Sequence, residues 1–599
     1  MELADGMMAK LDDGRILIWG QQTGSYEYIT EPTYFEELQN IESVFNTSDD
    51  GALIRMNDGT LWALGTSHGI ELGTGSSGRV IPARRVDTFW EDVQPEKPEG
   101  EGTEENPYKI KKASELRYME VEDSAHYILE NDITIPENYG NSVLVAYFGG
   151  TLDGKGHSIY TEIRRSEYLI LDSDGVIRNV NLPGSTYVVP LVKYNNGTIE
   201  NISMIGEFDS TGAVISGLVT YYNYGEIRQC EIDLILSGST VTNSGIAHTN
   251  SGNIEQSVIR YKAVDGAKGI LYGGVVNDNQ GIIRDTKVAA EVGDGNTLYS
   301  GIANYNRKSA KIERCMAEYK LYGTAILNNG ITRYNEGGTI EQSIVDVETF
   351  DNGKIINGIT YEHNGLIDGV VVMLGDGNIT DTKAAFAYKG TGTIRRSAFV
   401  RGNAESLVIN GSSIASIKMS ESYVRGGTIN HIVGSSYVKL DYGYIVVEPQ
   451  ATANKVTHLK GNKTYNITTN SYFNIGDTVG KSTLAELRDI NTYRFWDFDT
   501  VWDIDPDING GFPFLRDLPK VEDFETKKPL EIKVSKDIED WTNENVTILV
   551  ELENSEGSEI ITLPDNSTVA DVTASYEVSE NGTYRFEAAD SEEETSVEV

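Results

Sequence analysis

Six tyrosines stand where aromatic rings could do binding chemistry. Tyr194, Tyr222, Tyr305 and Tyr334 each precede an asparagine by one residue, as in "YNNGTIENISM", "YNYGEIRQCEI", "GIANYN" and "YNEGGTIEQSIV", and Tyr361 and Tyr388 lie close to equivalent places. Aromatic faces beside Asn and Asp acceptors are the ordinary equipment for binding sugars. Two other uses fit the same pattern: a self-stacking ladder that stiffens a coil, and a face that packs on another subunit.

The remaining chemistry-bearing residues point less clearly. Asp172 with Asp174, or Asp294 with Asp376 in the two "GDGN" turns, are candidate acid pairs for glycoside hydrolysis, although solvated turn acids are the simpler reading. The phrase "DIDPDINGG", Asp503 to Gly511, hints at a calcium loop, but Ile508 stands at the sixth position, where the EF-hand order needs Gly. No His pair has metal-ligand spacing, and His248, on an outward position of "GIAHTN", is grouped with no nucleophile by sequence. These patterns assign no catalytic residue, no metal and no cofactor.

The elements that must position the tyrosines are turns of a repeat. An anchor residue recurs at Gly175, Gly197, Gly225, Gly252, Gly281, Ala310, Gly338, Gly365 and Gly392, at spacings of 22 to 29 residues. Two places after each anchor stands Ile177, Ile199, Ile227, Ile254, Ile283, Ile312, Ile340, Ile367 and Ile394, followed by an outward polar position such as Glu200, Arg228, Glu255 or Arg284. That alternation is a half-buried strand, and a period of this size with no helical pattern predicts a parallel β-helix whose isoleucines stack about 4.8 Å apart. A second strand precedes each anchor, and Asn195, Asn223, Asn250, Asn279, Asn306 and Asn335 precede the anchor closely. An asparagine ladder there suits a tight corner, because Asn tolerates the left-handed conformation and its amides can bond from turn to turn.

His363 occupies the same ladder slot, so a corner role outweighs a catalytic one. Cys230 and Cys315 fall five places after their anchors, in a slot that elsewhere holds Ser257, Thr286, Ser343 and Ser397. Three turns separate them, about 14 Å, too far for a disulfide; they read as small core-lining thiols.

Composition narrows the partners. The 599 residues hold 50 Lys and Arg against 91 Asp and Glu, a net charge of −41, which repels phosphate backbones and anionic lipids. Nucleic acid and membrane insertion are therefore unexpected. No stretch approaches the roughly 18 apolar residues of a membrane helix, and "MELADGMMAKLDDGRILIWG" does not read as a secretory signal. Gly at 61 and Tyr at 33 against 15 Phe suit turns and short strands.

Several phrases carry family resemblances. "LDDGRILIWG" and "MNDGTLWALG", 45 residues apart and followed by "HGIELGTG", resemble RCC1-like propeller repeats. One or two blades cannot close a propeller, so other copies or another protein would complete it. "NPYKIKKASELRYMEVEDSAHYILENDITI" and "FWDFDTVWDIDPDINGGFPFL" resemble the cap and the exit of bacterial β-helices of the GLUG-repeat type, the exit closing the last turn. The tail, with "ENVTILVEL" and "ENGTYRFEAAD", is similar to bacterial Ig-like domains. The expected order is an RCC1-like propeller-type segment at 1–90, an acidic Pro/Gly linker at 91–105, a parallel β-helix at 106–525 and an Ig-like β-sandwich at 526–599, all-β throughout.

This set of domains resembles tail fibres and receptor-binding proteins of bacteriophages. The resemblance implies a non-enzymatic part of the virion that binds a bacterial cell-surface glycan or protein by multivalent contacts and joins other tail or baseplate proteins. A homotrimer would suit a fibre, whereas a self-closed β-helix can stand alone. Two alternatives share the scaffold: a secreted or wall-associated adhesin working at the cell surface, and a tailspike-type polysaccharide depolymerase.

Overall fold

A computed structural model describes residues 95–135, 143–161, 168–184, 190–209, 214–237, 241–265, 270–375 and 384–408 continuously. It also describes shorter segments between 2 and 85, at 382, and between 418 and 598. Asp376 lies outside the described residues. The protein is all-β and is built round a parallel β-solenoid of about nine turns across residues 126–401.

One turn shows the plan. Val241–Ser244 and Ala247–Asn250 belong to one sheet, Asn253–Glu255 and Val258–Ala263 to another. Each strand pairs in parallel with its equivalents one turn before and one turn after. We call the sheet of the isoleucine strands the first sheet and the other the second.

The isoleucine column is continuous, with Ile177, Ile199, Ile227, Ile254, Ile283, Ile312, Ile340, Ile367 and Ile394 in direct register. All are fully buried, and burial of each contributes roughly 1.5–3 kcal/mol. The glycine anchor has a steric cause. A Cβ at Gly197, Gly225 or Gly252 would sit 2.0–2.1 Å from the carbonyl oxygen of the preceding anchor.

The next residue outward carries charge of alternating sign: Asp153, Arg178, Glu200, Arg228, then Glu255, Arg284. These pair between turns, with Arg178 Nε 3.1 Å from Asp153, Arg228 Nη2 2.5 Å from Glu200 and Arg284 Nε 2.5 Å from Glu255. Solvent screens such half-exposed pairs, so their larger effect is on register.

The asparagine ladder forms inside the coil. Asn195 Nδ2 donates to Asn223 Oδ1 at 2.8 Å, and the pattern continues through Asn250, Asn279 and Asn306 to Asn335 at 2.8–3.1 Å. Most amides also reach a carbonyl of the next turn, as Asn250 does to Ile282 at 3.2 Å. The left-handed corner is elsewhere. It falls four places after the anchor, at Asn179, Asn201, Gln229, Gln256, Asp285, Arg314, Gln342 and Arg396, with φ of 46–55°, and at Gly369. The ladder asparagines are thus held by hydrogen bonds and not by a left-handed backbone.

At the amino end Tyr108, Tyr127 and Phe148 pack in series, with ring centres 5.4 and 6.1 Å apart, beneath a short helical turn that buries Met119. The exit phrase behaves differently from its expected end-closing role. Trp496, Trp502, Phe512 and Leu515 cluster with Val371 and Ala398, and Phe524 packs on Val258 and Met316. Those partners share one outward column of the first sheet, so the exit segment lies along the outside of the coil. Apart from Lys287 the column is apolar there, and that surface needs a cover.

The two repeated amino-terminal phrases fall in equivalent places. Ile16–Gln21 is the third strand of one four-stranded antiparallel meander, and Leu61–Ser67 the third of another. The chain divides into two compact units, Met1–Phe524 and Glu525–Val599. The second has a three-stranded and a four-stranded antiparallel sheet sharing one core around Ile548, Val550, Ile561 and Phe586.

Candidate functional site

The six tyrosines all lie on the second sheet, but they do not make one stripe. Tyr194, Tyr222, Thr249, Asp278, Tyr305, Tyr334, Glu362 and Lys389 follow one another in register in a single outward column. Tyr361 and Tyr388 belong to the adjacent column, which also holds Tyr221, His248, Asn277, Asn304 and Arg333. The rings form three stacked pairs: Tyr194 on Tyr222 at 5.2 Å, Tyr305 on Tyr334 at 5.0 Å and Tyr361 on Tyr388 at 5.2 Å, with planes within 16° of parallel. A pair of this kind contributes about 0.5–1.5 kcal/mol beyond its burial.

Cations occupy much of the remaining ring surface. The Arg307 guanidinium sits 4.2 Å from the centre of Tyr305 and bonds Asp278 at 2.7 Å and Glu336 at 2.6 Å. Arg333 lies 5.0 Å from Tyr334 and 5.3 Å from Tyr299, and Lys389 lies 4.9 Å from Tyr361. Lys193 lies between Tyr168 and Tyr194, at 5.4 and 5.5 Å. The Tyr305–Tyr334 pair therefore has one face on its partner and a cation over each ring. Tyr222 differs: past its pair the column continues with the short Thr249.

Sequence reasoning missed part of this surface. Tyr221 stacks on His248 at 4.4 Å and Tyr272 on Tyr299 at 4.9 Å; a separate pair, Tyr322 on Phe350 at 4.7 Å, lies off this sheet, just past strands of the first. The 27-residue spacing of Tyr272 and Tyr299, one turn of the repeat, was a readable signal.

The other candidates resolve into structural parts. Asn196 Nδ2 donates to Asp172 at 3.0 Å and to Asp174 at 2.8 Å, and Tyr147 donates to Asp174 at 3.1 Å. Burial, reinforced by Asp174, raises the carboxyl of Asp172 above its ordinary range. Asp294 accepts from the hydroxyl and backbone of Thr324 at 2.6 and 2.7 Å, bonds that lower its pKa. Asp503 pairs with Arg516 at 3.2 Å, and among the described residues no group of His, Cys, Asp and Glu is arranged to hold a metal.

His363 ends the asparagine ladder. Asn335 donates to its Nδ1 at 3.2 Å and its Nε2 donates to Thr393 O at 2.9 Å, so both ring nitrogens copy an asparagine's contacts. Burial holds its pKa down at about 4. Cys230 and Cys315 are free and buried, their backbone N–H groups donating to Ser257 and Ser343 of the next turn at 3.1 Å. Burial pushes both thiols up to about 12, which makes them poor nucleophiles.

A groove of about 720 Å³ lies on the outer face of the first sheet. Asp233, Arg260, Glu318 and Asp346 line it, with Ile205 and Ile235 exposed at one end. Glu318 and Asp346 are neighbours on adjacent turns. Lys287 pairs with Glu318 at 2.8 Å and Arg401 pairs with Asp346, whose carboxyl burial raises.

In comparisons with known proteins, no protein-family model matches the chain, and no curated protein matches it either.

Proposed function

We propose that the chain is a structural and host-recognition component of a bacteriophage tail, a tail fibre or receptor-binding protein that binds a bacterial cell-surface glycan or protein. The observation that carries this reading is the second sheet. It presents stacked tyrosine pairs, cations, amides and carboxylates on successive turns of a stiff parallel coil, a surface suited to repeated weak contacts. A net charge of −41 argues against a nucleic acid or anionic membrane partner. The paired meanders at the amino end suit propeller blades completed by further copies, as in a homotrimer, or by other tail or baseplate proteins. The two-sheet carboxy-terminal unit suits an Ig-like domain.

The test is binding to intact bacterial cells. Labelled chain should bind cells of a susceptible host and lose them when the wall glycan is stripped, and antibodies to the chain should decorate virion tails. Decoration of the cell surface alone would favour the adhesin alternative. A second reading attaches to the groove, where Glu318 and Asp346 stand on adjacent turns as two acids of a retaining glycosidase would. Release of reducing ends from host polysaccharide, abolished by Glu318→Gln, would replace the binding-only reading with depolymerisation.

A further inference from the structure

We infer that the second sheet carries a saccharide-binding bay between two of its tyrosine pairs, with Tyr222 as the stacking platform and Asn304 and His248 as polar contacts. The inference rests on the recognition reading above and assigns it a location.

Tyr222 and Tyr305 share an outward column three turns apart, with only Thr249 and Asp278 between them. The separation is about 14 Å; the Arg307 guanidinium, over Tyr305 and bonded to Asp278, fills the Tyr305 end, and the short Thr249 leaves the room beside Tyr222. Beside this gap runs the column of Tyr221, His248, Asn277 and Asn304. The stacked pair of Tyr272 and Tyr299 follows strands of the same sheet, and Arg333 of this column lies 5.3 Å from Tyr299. Polar residues thus fill two adjacent columns between the rings of Tyr221 and Tyr222 and that of Tyr305.

Two atoms here have no hydrogen-bond partner among the described residues: Asn304 Oδ1 and His248 Nδ1. Asn304 is only 5% exposed, and its amide nitrogen is committed to Asn277 Oδ1 at 3.0 Å. A buried carbonyl oxygen left in this state is destabilising, and a ligand hydroxyl or amide would satisfy it once the Asn304 side chain turns toward the gap. His248 is stacked on Tyr221, and burial lowers its pKa, so near pH 7 it is neutral and can accept from a hydroxyl.

The charge balance selects the ligand. Asp278 is already engaged by Arg307 through two bonds at 2.7 and 3.2 Å, and the chain as a whole repels anions. A neutral ring with one apolar face for Tyr222 and hydroxyl donors for Asn304 and His248 fits. This is a neutral hexose or N-acetylhexosamine unit of a longer glycan.

The test is calorimetric titration of the full chain with tetrasaccharides of glucose, galactose and N-acetylglucosamine. At least one should bind. Thr249→Trp, which fills the gap without touching the inner ladder, and Asn304→Ala should each weaken it by about tenfold or more. Tyr322→Ala, in an aromatic pair outside the bay, should leave affinity unchanged. Thermal unfolding of Thr249→Trp at the wild-type temperature excludes misfolding as the cause. The inference is overturned if no tetrasaccharide binds, or if both bay variants bind as well as the wild type. Cell binding separates the two readings: Thr249→Trp that still labels cells fully sinks the bay alone, whereas wild-type chain that never labels cells sinks the recognition reading.

Discussion

Asn223 and Tyr222 are adjacent in the chain, yet the columns they belong to obey different rules. The inner column runs unbroken through six asparagines and then His363, each residue bonded to the next. The outer column changes from tyrosine to Thr249 and Asp278 and back again within four turns. Inside, a missing amide leaves buried partners unsatisfied, and water cannot replace it. Outside, solvent supplies the lost contacts, so the column is free to vary. Repetition there makes local stacks, and interruption makes room for a ligand.

The difference can be broken or sharpened by substitution, and the inner column should show the largest effects. Asn279→Leu removes one of the two bonds of the Asn250 amide and takes the ladder donor from the Oδ1 of Asn306 and the carbonyl of Lys311. It should cost on the order of 4 kcal/mol in urea denaturation. A loss below 1 kcal/mol would show that the inner column is as permissive as the outer.

The histidine end of that column should add acid sensitivity. His363 has a folded pKa of about 4 against about 6.5 for an unperturbed histidine, so the unfolded chain binds the extra proton first. Stability is fully present above about pH 6.5 and is lost as pH falls toward 4, by about 3 kcal/mol in total. His363→Asn keeps the ladder and should remove this component from the stability profile between those limits; an unchanged profile would mean another group sets it.

Effects on the outer column should be smaller. Tyr305→Ala breaks the stack with Tyr334 and exposes Arg307, and should cost about 1 kcal/mol in the same assay. A loss approaching that of Asn279→Leu would make the tyrosines principal supports of the coil. Smallest of all, Cys230→Ser should change stability by less than about 1 kcal/mol, because serine and threonine fill the same slot at Ser257 and Thr286. In the native wild type, burial and the raised thiol pKa should make labelling by a thiol reagent slow until denaturant is added.

Legibility in the sequence follows the same division. The isoleucine column, the asparagine ladder, the small slot of the cysteines and the place of His363 could be aligned residue by residue, because inward positions repeat in type and spacing. The left-handed corner was misplaced because its occupants, among them Gln229, Asp285 and Arg314, share a backbone conformation and no side-chain type. For the tyrosines, the residue types were legible and the pairing was not. Tyr361 and Tyr388 sit one position from the column of the other four, a shift that only the turn-to-turn register reveals. The exit phrase was recognisable, but its resting place on the outside of the first sheet depends on Val371, Ala398, Met316 and Val258, residues far away in the chain.

The sequence by itself determined that this protein coils, with what period and with which side chains inside, because a buried column must be filled by residues that suit their own copies one turn away. Only the tertiary structure decided what the outside does. Which tyrosines meet, which rings receive a cation, which acids share the groove and where the tyrosine column is interrupted at Thr249 and Asp278 all depend on neighbours a full turn away. Solvent places no requirement on those positions, so no repeated residue type in the chain announces them.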